Sequence, residues 1–201
     1  MSENEPRRTQ AQRTKLSREK ILQEATRQFA QNGFRGSTLR EIAEAIDMSE
    51  AGLLYHFPSK DQLLISVLQE RDQANKERFG KKVADQEKRF LDSLKELVRH
   101  NEKVPGLVQL FTVLVSESLT DEHPSQEYFV WRYQAHRQMF LETISKCQET
   151  GNIRQDIDAE TLTIMIFAMM DGLQIQWLLE PEKISMSKVF EAFVKLLEVK
   201  K

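Results

Sequence analysis

The chain of 201 residues holds one cysteine, Cys147, so no intrachain disulfide can form and a reducing cytoplasm is the expected compartment. Glycine is scarce too, with seven scattered residues. They build neither a phosphate-cradling loop nor a nucleophile elbow. His100, His123, His136 and Cys147 lack a compact metal-ligand spacing, so no metal, no cofactor and no enzymatic activity are expected. The most apolar run, 161–170, is too short to span a bilayer and is followed by Asp171. No secretory apolar stretch follows the charged N-terminus, and a membrane is therefore not an expected partner. Period-two alternation is missing as well, which points away from sheets.

What is present is helix-forming sequence, 40% hydrophobic and 30% charged. That is enough to bury a sizeable core in one or two domains. The formal net charge of -2 argues against a nucleic-acid binder until its distribution is read. Residues 6–40 carry nine basic and two acidic side chains, whereas residues 41–201 carry 20 basic and 27 acidic. Positive charge is concentrated at one end, as a DNA-binding head requires. Residues 1–16 are polar, charged and poor in apolar side chains, and are expected to be a disordered basic arm. Arg7, Arg8, Arg13 and Lys15 either follow a DNA backbone or form a solvated tail.

The stretch 38–60, TLREIAEAIDMSEAGLLYHFPSK, reads as two short helices about a tight turn and the start of a third. Thr38 and Glu41 have capping-box spacing. Leu39, Ile42, Ala43 and Ile46 then form one apolar stripe. Ser49 is a natural N-cap for a second helix that packs back through Leu53, Leu54 and Phe57 and turns Glu50, Ala51 and Gly52 outward. A helix with such small residues can enter a major groove about 12 Å wide. Ser59 and Gln62 are spaced as another capping box, and Lys60 follows against the dipole preference for acids. A phosphate contact explains a cation there. Upstream, Ser17 is expected to cap a first helix bearing Ile21, Ala25 and Phe29, which Gly33 ends.

These residues, with ILQEATRQFAQNGFRGSTLREIAEAI and SEAGLLYHFPSKDQLL, resemble the tetracycline-repressor-like (TetR) family of bacterial transcriptional regulators. The resemblance implies base reading by Arg40, Glu50, Ala51 and Gly52. It implies phosphate contacts by Thr38, Ser49, Tyr55, His56 and Lys60. Two positions depart from the family pattern. Leu54 stands where an aromatic is commoner, and Asp47 stands where the turn usually has Gly.

Beyond residue 60 the pattern is helical almost throughout, with runs ending near Gly80 and then at 84–102, 106–119, 125–149, 159–179 and 186–199. The fold class is therefore all-α, with a helix-turn-helix DNA-binding domain at 17–60 and a six-helix effector-binding and dimerisation body at 61–201. In the last two helices apolar residues occupy more than one face, which suits burial both inward and against a second copy or a thick monomeric core. The resemblance implies a homodimer, with Leu173, Trp177, Val189, Phe190, Phe193 and Leu197 as interface candidates. Aromatic and Met side chains are dense in the body, and Phe90, Phe111, Tyr128, Trp131, Met139, Met165 and Met169, with the polar Arg132 and Asp171, are candidates for an effector pocket. An ordinary core also accounts for most of them. Arg132 and His136 share a helix face that suits an anionic ligand, and an ion pair with a neighbouring Glu explains them equally.

The expected function is a homodimeric repressor that binds a double-stranded DNA operator and is released by an unknown small-molecule effector. Two alternatives stand beside it: a DNA-binding regulator without an effector, and a helical binding or catalytic module with a vestigial head.

Overall fold

The structure is a computed structural model that describes residues 10–77 and 89–199. Among the described residues are nine α-helices and no β-strand: α1 Gln10–Asn32, α2 Leu39–Glu44, α3 Glu50–His56, α4 Lys60–Asn75, α5 Phe90–Asn101, α6 Pro105–Glu117, α7 Gln126–Glu149, α8 Ala159–Leu179 and α9 Met186–Leu197. Arg7 and Arg8 of the expected arm, Gly80 and the start of the run expected at residue 84 lie outside the described residues.

The helix α1 starts at Gln10, seven residues before the expected cap at Ser17. The intervening residues are good helix formers. Thr14 Oγ1 donates back to the Gln10 carbonyl at 3.0 Å, and Lys15 lies 3.9 Å from Glu19 one turn on. A helix already propagating passes through Ser17 without needing it as a cap. Its other end is as expected, with Gly33 in the left-handed region at φ 71°.

Two apolar clusters hold the molecule. One joins Ile21, Ala25 and Phe29 of α1, Ile42, Leu53 and Phe57 of the helix-turn-helix, and Leu63, Leu64, Val67 and Leu68 of α4. It continues into the body through Leu110, Phe111 and Leu114 of α6 and Phe129 of α7. Head and body therefore share one core across the sequence boundary at residue 60, and α1 packs most extensively on α6. The second cluster belongs to α5, α7, α8 and α9 and includes Phe90, Phe140, Ile144, Ile166, Trp177, Phe190 and Phe193.

By length and composition the whole of α8 could cross a membrane, although the run 161–170 alone is too short. Its buried residues Leu162, Ile166, Leu173 and Trp177 lie in the body core, against α7 and α9. Asp158 starts this helix by accepting from Thr161 N at 2.8 Å.

Candidate nucleic-acid interface and effector region

The interface is built by caps. Thr38 Oγ1 accepts from Glu41 N at 3.2 Å while Thr38 N donates to Glu41 Oε2 at 3.1 Å, which completes the capping box. The chain then turns through Asp47 at φ 54°. This is the left-handed geometry that Gly provides without strain and that Asp tolerates better than most residues. Met48 N returns to the Ala43 carbonyl at 2.9 Å, and Ser49 Oγ accepts from Gly52 N at 3.1 Å to start α3. At Ser59 the hydroxyl accepts from Gln62 N at 3.1 Å, the forward half of the box expected there.

Of the three residues expected to pack α3 inward, Leu53 and Phe57 are buried and Leu54 is 38% exposed. Leu53 and Phe57 already fill the space over α2, and Leu54, one residue on, is rotated away. Glu50, Ala51 and Leu54 face solvent, and Tyr55 is 81% exposed, its ring edge-on to His56 at 5.4 Å. Gly52 lies closer to the turn than expected. A Cβ there would sit 3.1 Å from Met48 Cγ and 3.2 Å from Ser49 Oγ. On α2, exposed Arg40 is engaged by Glu44, Nε to Oε1 at 2.8 Å.

Lys60 Nζ stands 4.3 Å from the centroid of the Phe34 ring, so this cation has an internal aromatic partner besides any phosphate. Burial lowers its pKa. A further residue was not legible in the sequence. Arg18 of α1 donates to the His56 carbonyl at 3.3 Å and lies 4.2 Å over Phe57, which ties the C-terminal end of α3 to α1. A separation of 38 positions leaves no local pattern.

The head meets the body at Glu117. Its Oε2 accepts from Phe34 N at 2.7 Å, just past the end of α1. Behind it His123 is buried, with Nε2 3.7 Å from Glu117 and Nδ1 2.8 Å from Ser125 Oγ. Burial holds its pKa below the ordinary value of 6.5.

Among the described residues, the nine candidate effector residues line neither of two open clefts. Phe90 is buried, edge-on to Phe140 at 5.2 Å, with Met139 and Met169 packed on the same cluster. Trp131 and Met165 are exposed, because their positions on α7 and α8 turn away from the helices packed beside them. Two open clefts, of about 470 and 320 Å³, lie elsewhere, one beside Arg154 and Leu196 and one beside Arg27 and Val104. What the structure does gather is charge.

Asp72 of α4 accepts from Arg132 Nε at 2.8 Å and from Tyr128 Oη at 2.5 Å. Asp171 of α8 accepts from Tyr133 Oη at 2.7 Å. Arg71 and Arg132 lie 4.3 and 4.7 Å from the Phe111 centroid. The partner of Arg132 is thus an Asp of another helix rather than a neighbouring Glu. His136 Nδ1 sits 2.8 Å from the Arg132 carbonyl. Burial raises the Asp72 pKa, but Arg132, Tyr128 and Arg71 together outweigh it and hold the group below its ordinary value. Burial pushes Asp171 up and pulls Arg71 down to about 10.

Of the interface candidates, Leu173, Trp177, Phe190, Phe193 and Leu197 are buried inside the protomer, and Val189 is exposed. A two-sided apolar pattern does not tell which side faces inward. The outward apolar residues of these helices are Ile164, Met165, Ile175 and Leu179 on α8 and Val189 and Leu196 on α9.

Residues 21–67 match the family described as "Bacterial regulatory proteins, tetR family". Residues 86–197 match the family described as "BetI-type transcriptional repressor, C-terminal". The transcriptional repressor AcnR of Corynebacterium diphtheriae is 26% identical over 161 residues, 78% of either chain. A probable acrEF/envCD operon repressor of Escherichia coli is 24% identical over 184 residues, 86% of this chain and 80% of that one. Among solved structures, a putative transcriptional regulator from Saccharomonospora viridis in complex with choline superposes with TM-score 0.77 at 25% identity, covering 93% of this chain and all of that one. FadR from Bacillus subtilis in complex with stearoyl-CoA has the same fold, with TM-score 0.76 at 17% identity over 90% of this chain and 97% of that one. With a capped helix-turn-helix at one end and a repressor-type helical body over the rest, the chain belongs to the TetR family of bacterial transcriptional regulators.

Proposed function

We propose that the protein is a cytoplasmic homodimeric repressor, not an enzyme, which binds a near-palindromic operator and is released by a small molecule held in its body. The observation that carries this reading is the outer face of α3. The helix is anchored through Leu53 and through Phe57 beyond its end, and offers Glu50, Ala51 and Tyr55 to solvent. Base contacts would come from Arg40, Glu50, Ala51 and the backbone edge at Gly52. Phosphate contacts would come from Thr38, Ser49, Tyr55, His56 and Lys60. With few base-reading side chains, sequence choice would lean on DNA shape. Two copies of α3 about 34 Å apart would read successive major grooves.

Release would run through α4, which carries the head at its N-terminal end and Asp72 at its other end. That two structural neighbours are complexes with choline and stearoyl-CoA supports a small-molecule ligand. Switching from mostly bound to mostly free requires about a 10⁴-fold ligand preference for the released state, roughly 5.5 kcal/mol.

The test is selection of DNA from a random pool by the full-length protein, followed by affinity titrations over a range of salt. Steep salt dependence and a selected motif with two half-sites are expected. Tyr55→Ala and Lys60→Ala should each weaken binding about tenfold or more with little sequence bias. A flat salt response without sequence preference would overturn the reading. One observation favours a second reading, a regulator without a small-molecule effector: the candidate pocket residues pack on each other or face solvent, and the open clefts lie elsewhere.

A further inference from the structure

Among the described residues, Arg71 is the one guanidinium that the fold buries without completing its bonding. Only 8% of its side chain is exposed, and its Nε finds no acceptor among the described residues. Its nearest carboxylate oxygen, Asp72 Oδ1, lies 3.4 Å from a terminal nitrogen, long for a charge-assisted bond. Asp72 is already taken, since Arg132 Nε reaches both its oxygens at 3.0 and 2.8 Å and Tyr128 donates to it as well. Asp171, the other carboxylate of the group, is held by Tyr133.

Two cations therefore lean on Phe111 and share one close anion. A buried donor without an acceptor is costly, so the fold has retained an unfilled demand for an acceptor beside two guanidinium groups. The same geometry disfavours a cationic guest. Both carboxylates have donors, and the Phe111 ring that could receive a quaternary ammonium already carries two guanidinium groups. Planar guanidinium groups suit a carboxylate, which can accept two parallel N–H bonds. The group is reachable, because Asp72 keeps a fifth of its side chain exposed. Beside it the rings of Tyr133, Phe167 and Phe140 pack in a row, with centroids 6.0 and 4.9 Å apart in turn, and supply an apolar neighbourhood.

We propose that the effector is an organic acid whose carboxylate bridges Arg71 and Arg132 in place of Asp72, with an apolar body toward Phe167. This rests on the ligand-responsive reading above and adds the chemistry of the ligand and the route of release. Asp72 is an internal stand-in for the effector. While it holds Arg132 it ties α4 to α7, and once displaced it frees α4 to carry the head away from its DNA register.

The experiment uses the full-length protein with straight-chain acids from acetate to decanoate and with phenylacetate. The matched primary amides and choline serve as controls. Calorimetric binding and release of the selected DNA are both read. At least one acid should bind at least about tenfold more tightly than its amide and release DNA, and choline should do neither. Asp72→Asn removes the internal competitor and should tighten acid binding about tenfold, whereas Arg71→Met should weaken it by a similar factor. A purely structural ion pair would not give that opposition, and Asp72→Asn alone suffices should Arg71→Met fail to fold. Acids that bind no better than their amides, or an Asp72→Asn variant with unchanged or weaker acid binding, would overturn the proposal. Release of DNA by choline or an amide but by no acid would overturn the acid chemistry and leave the ligand-responsive reading standing. Acid binding that leaves DNA bound would overturn the route of release.

Discussion

Gly33 is needed for two independent reasons. Its φ of 71° lies where a Cβ is strained, and a Cβ built there would come within 2.2 Å of Glu117 Oε1. The carboxylate is this close because Glu117 accepts from Phe34 N, the first amide beyond the glycine. Gly33→Ala should therefore cost about 1–2 kcal/mol from the left-handed backbone alone. The Glu117 side chain must also move, which weakens its bond to Phe34. Urea unfolding of the variant checks the first effect, and a wild-type midpoint would refute it. The second effect should appear as faster hydrogen exchange at the Phe34 amide. That Gly33 ends α1 is legible in the sequence, since a lone Gly after a periodic run is a local signal. That it also makes room for a carboxylate 84 residues away is not.

The same distinction between local and distant information governs the elements. Caps at Thr38, Ser49 and Ser59, the left-handed turn at Asp47 and the course of α6 to α9 rest on neighbours within a few residues, and the sequence shows them. The Arg18 tie to α3 and the Asp72–Arg132 pair join residues 38 and 60 apart, and no spacing rule reaches them. Burial direction is hidden for the same reason. Leu54 and Leu53 are alike in composition, and only packing on α2 separates them.

The joint of α1 with α6 and α7 gives a pH prediction at this scale. His123 lies beside Glu117, Arg35 and Asp61, with Ser125 on its Nδ1. Burial lowers its pKa, so the folded state favours the neutral imidazole. The unfolded chain then binds more protons between the depressed value and the ordinary 6.5. Stability is full above about pH 6.5 and falls as the pH drops through that window. His136, lowered by burial and by Arg132, adds to the same slope. Unfolding free energies measured from pH 7.5 to 5 should decline, and His123→Gln should make the decline shallower. An unchanged slope in the variant would show that His123 does not contribute.

For the whole molecule, the apolar residues that α8 and α9 turn outward are the informative ones. Scattered exposed Leu or Ile residues are ordinary, but these fall into stripes. Ile164, Ile175 and Leu179 follow one side of α8 at spacings of eleven and four, and Val189 and Leu196 are seven apart on α9. Aligned on two helices that pack together, they suit a second copy of the chain across a two-fold axis. The buried Phe190 and Trp177 hold the protomer together, so the two sets of residues separate experimentally. Phe190→Ala should destabilise the fold by about 3–5 kcal/mol. The pair Ile175→Asp and Leu196→Asp should leave the protomer folded, with a helical circular-dichroism spectrum and an unchanged dependence of unfolding on urea. In sedimentation equilibrium the wild-type protein should run at twice the 23.5 kDa chain mass and the double variant at the chain mass. On the proposed reading, in which each head binds one half-site, losing the dimer would remove the second, tethered contact. Operator affinity should fall by about 10² or more, while affinity for a single half-site stays the same. A wild-type mass of 23.5 kDa, or full operator affinity in a monomeric double variant, would overturn this assembly.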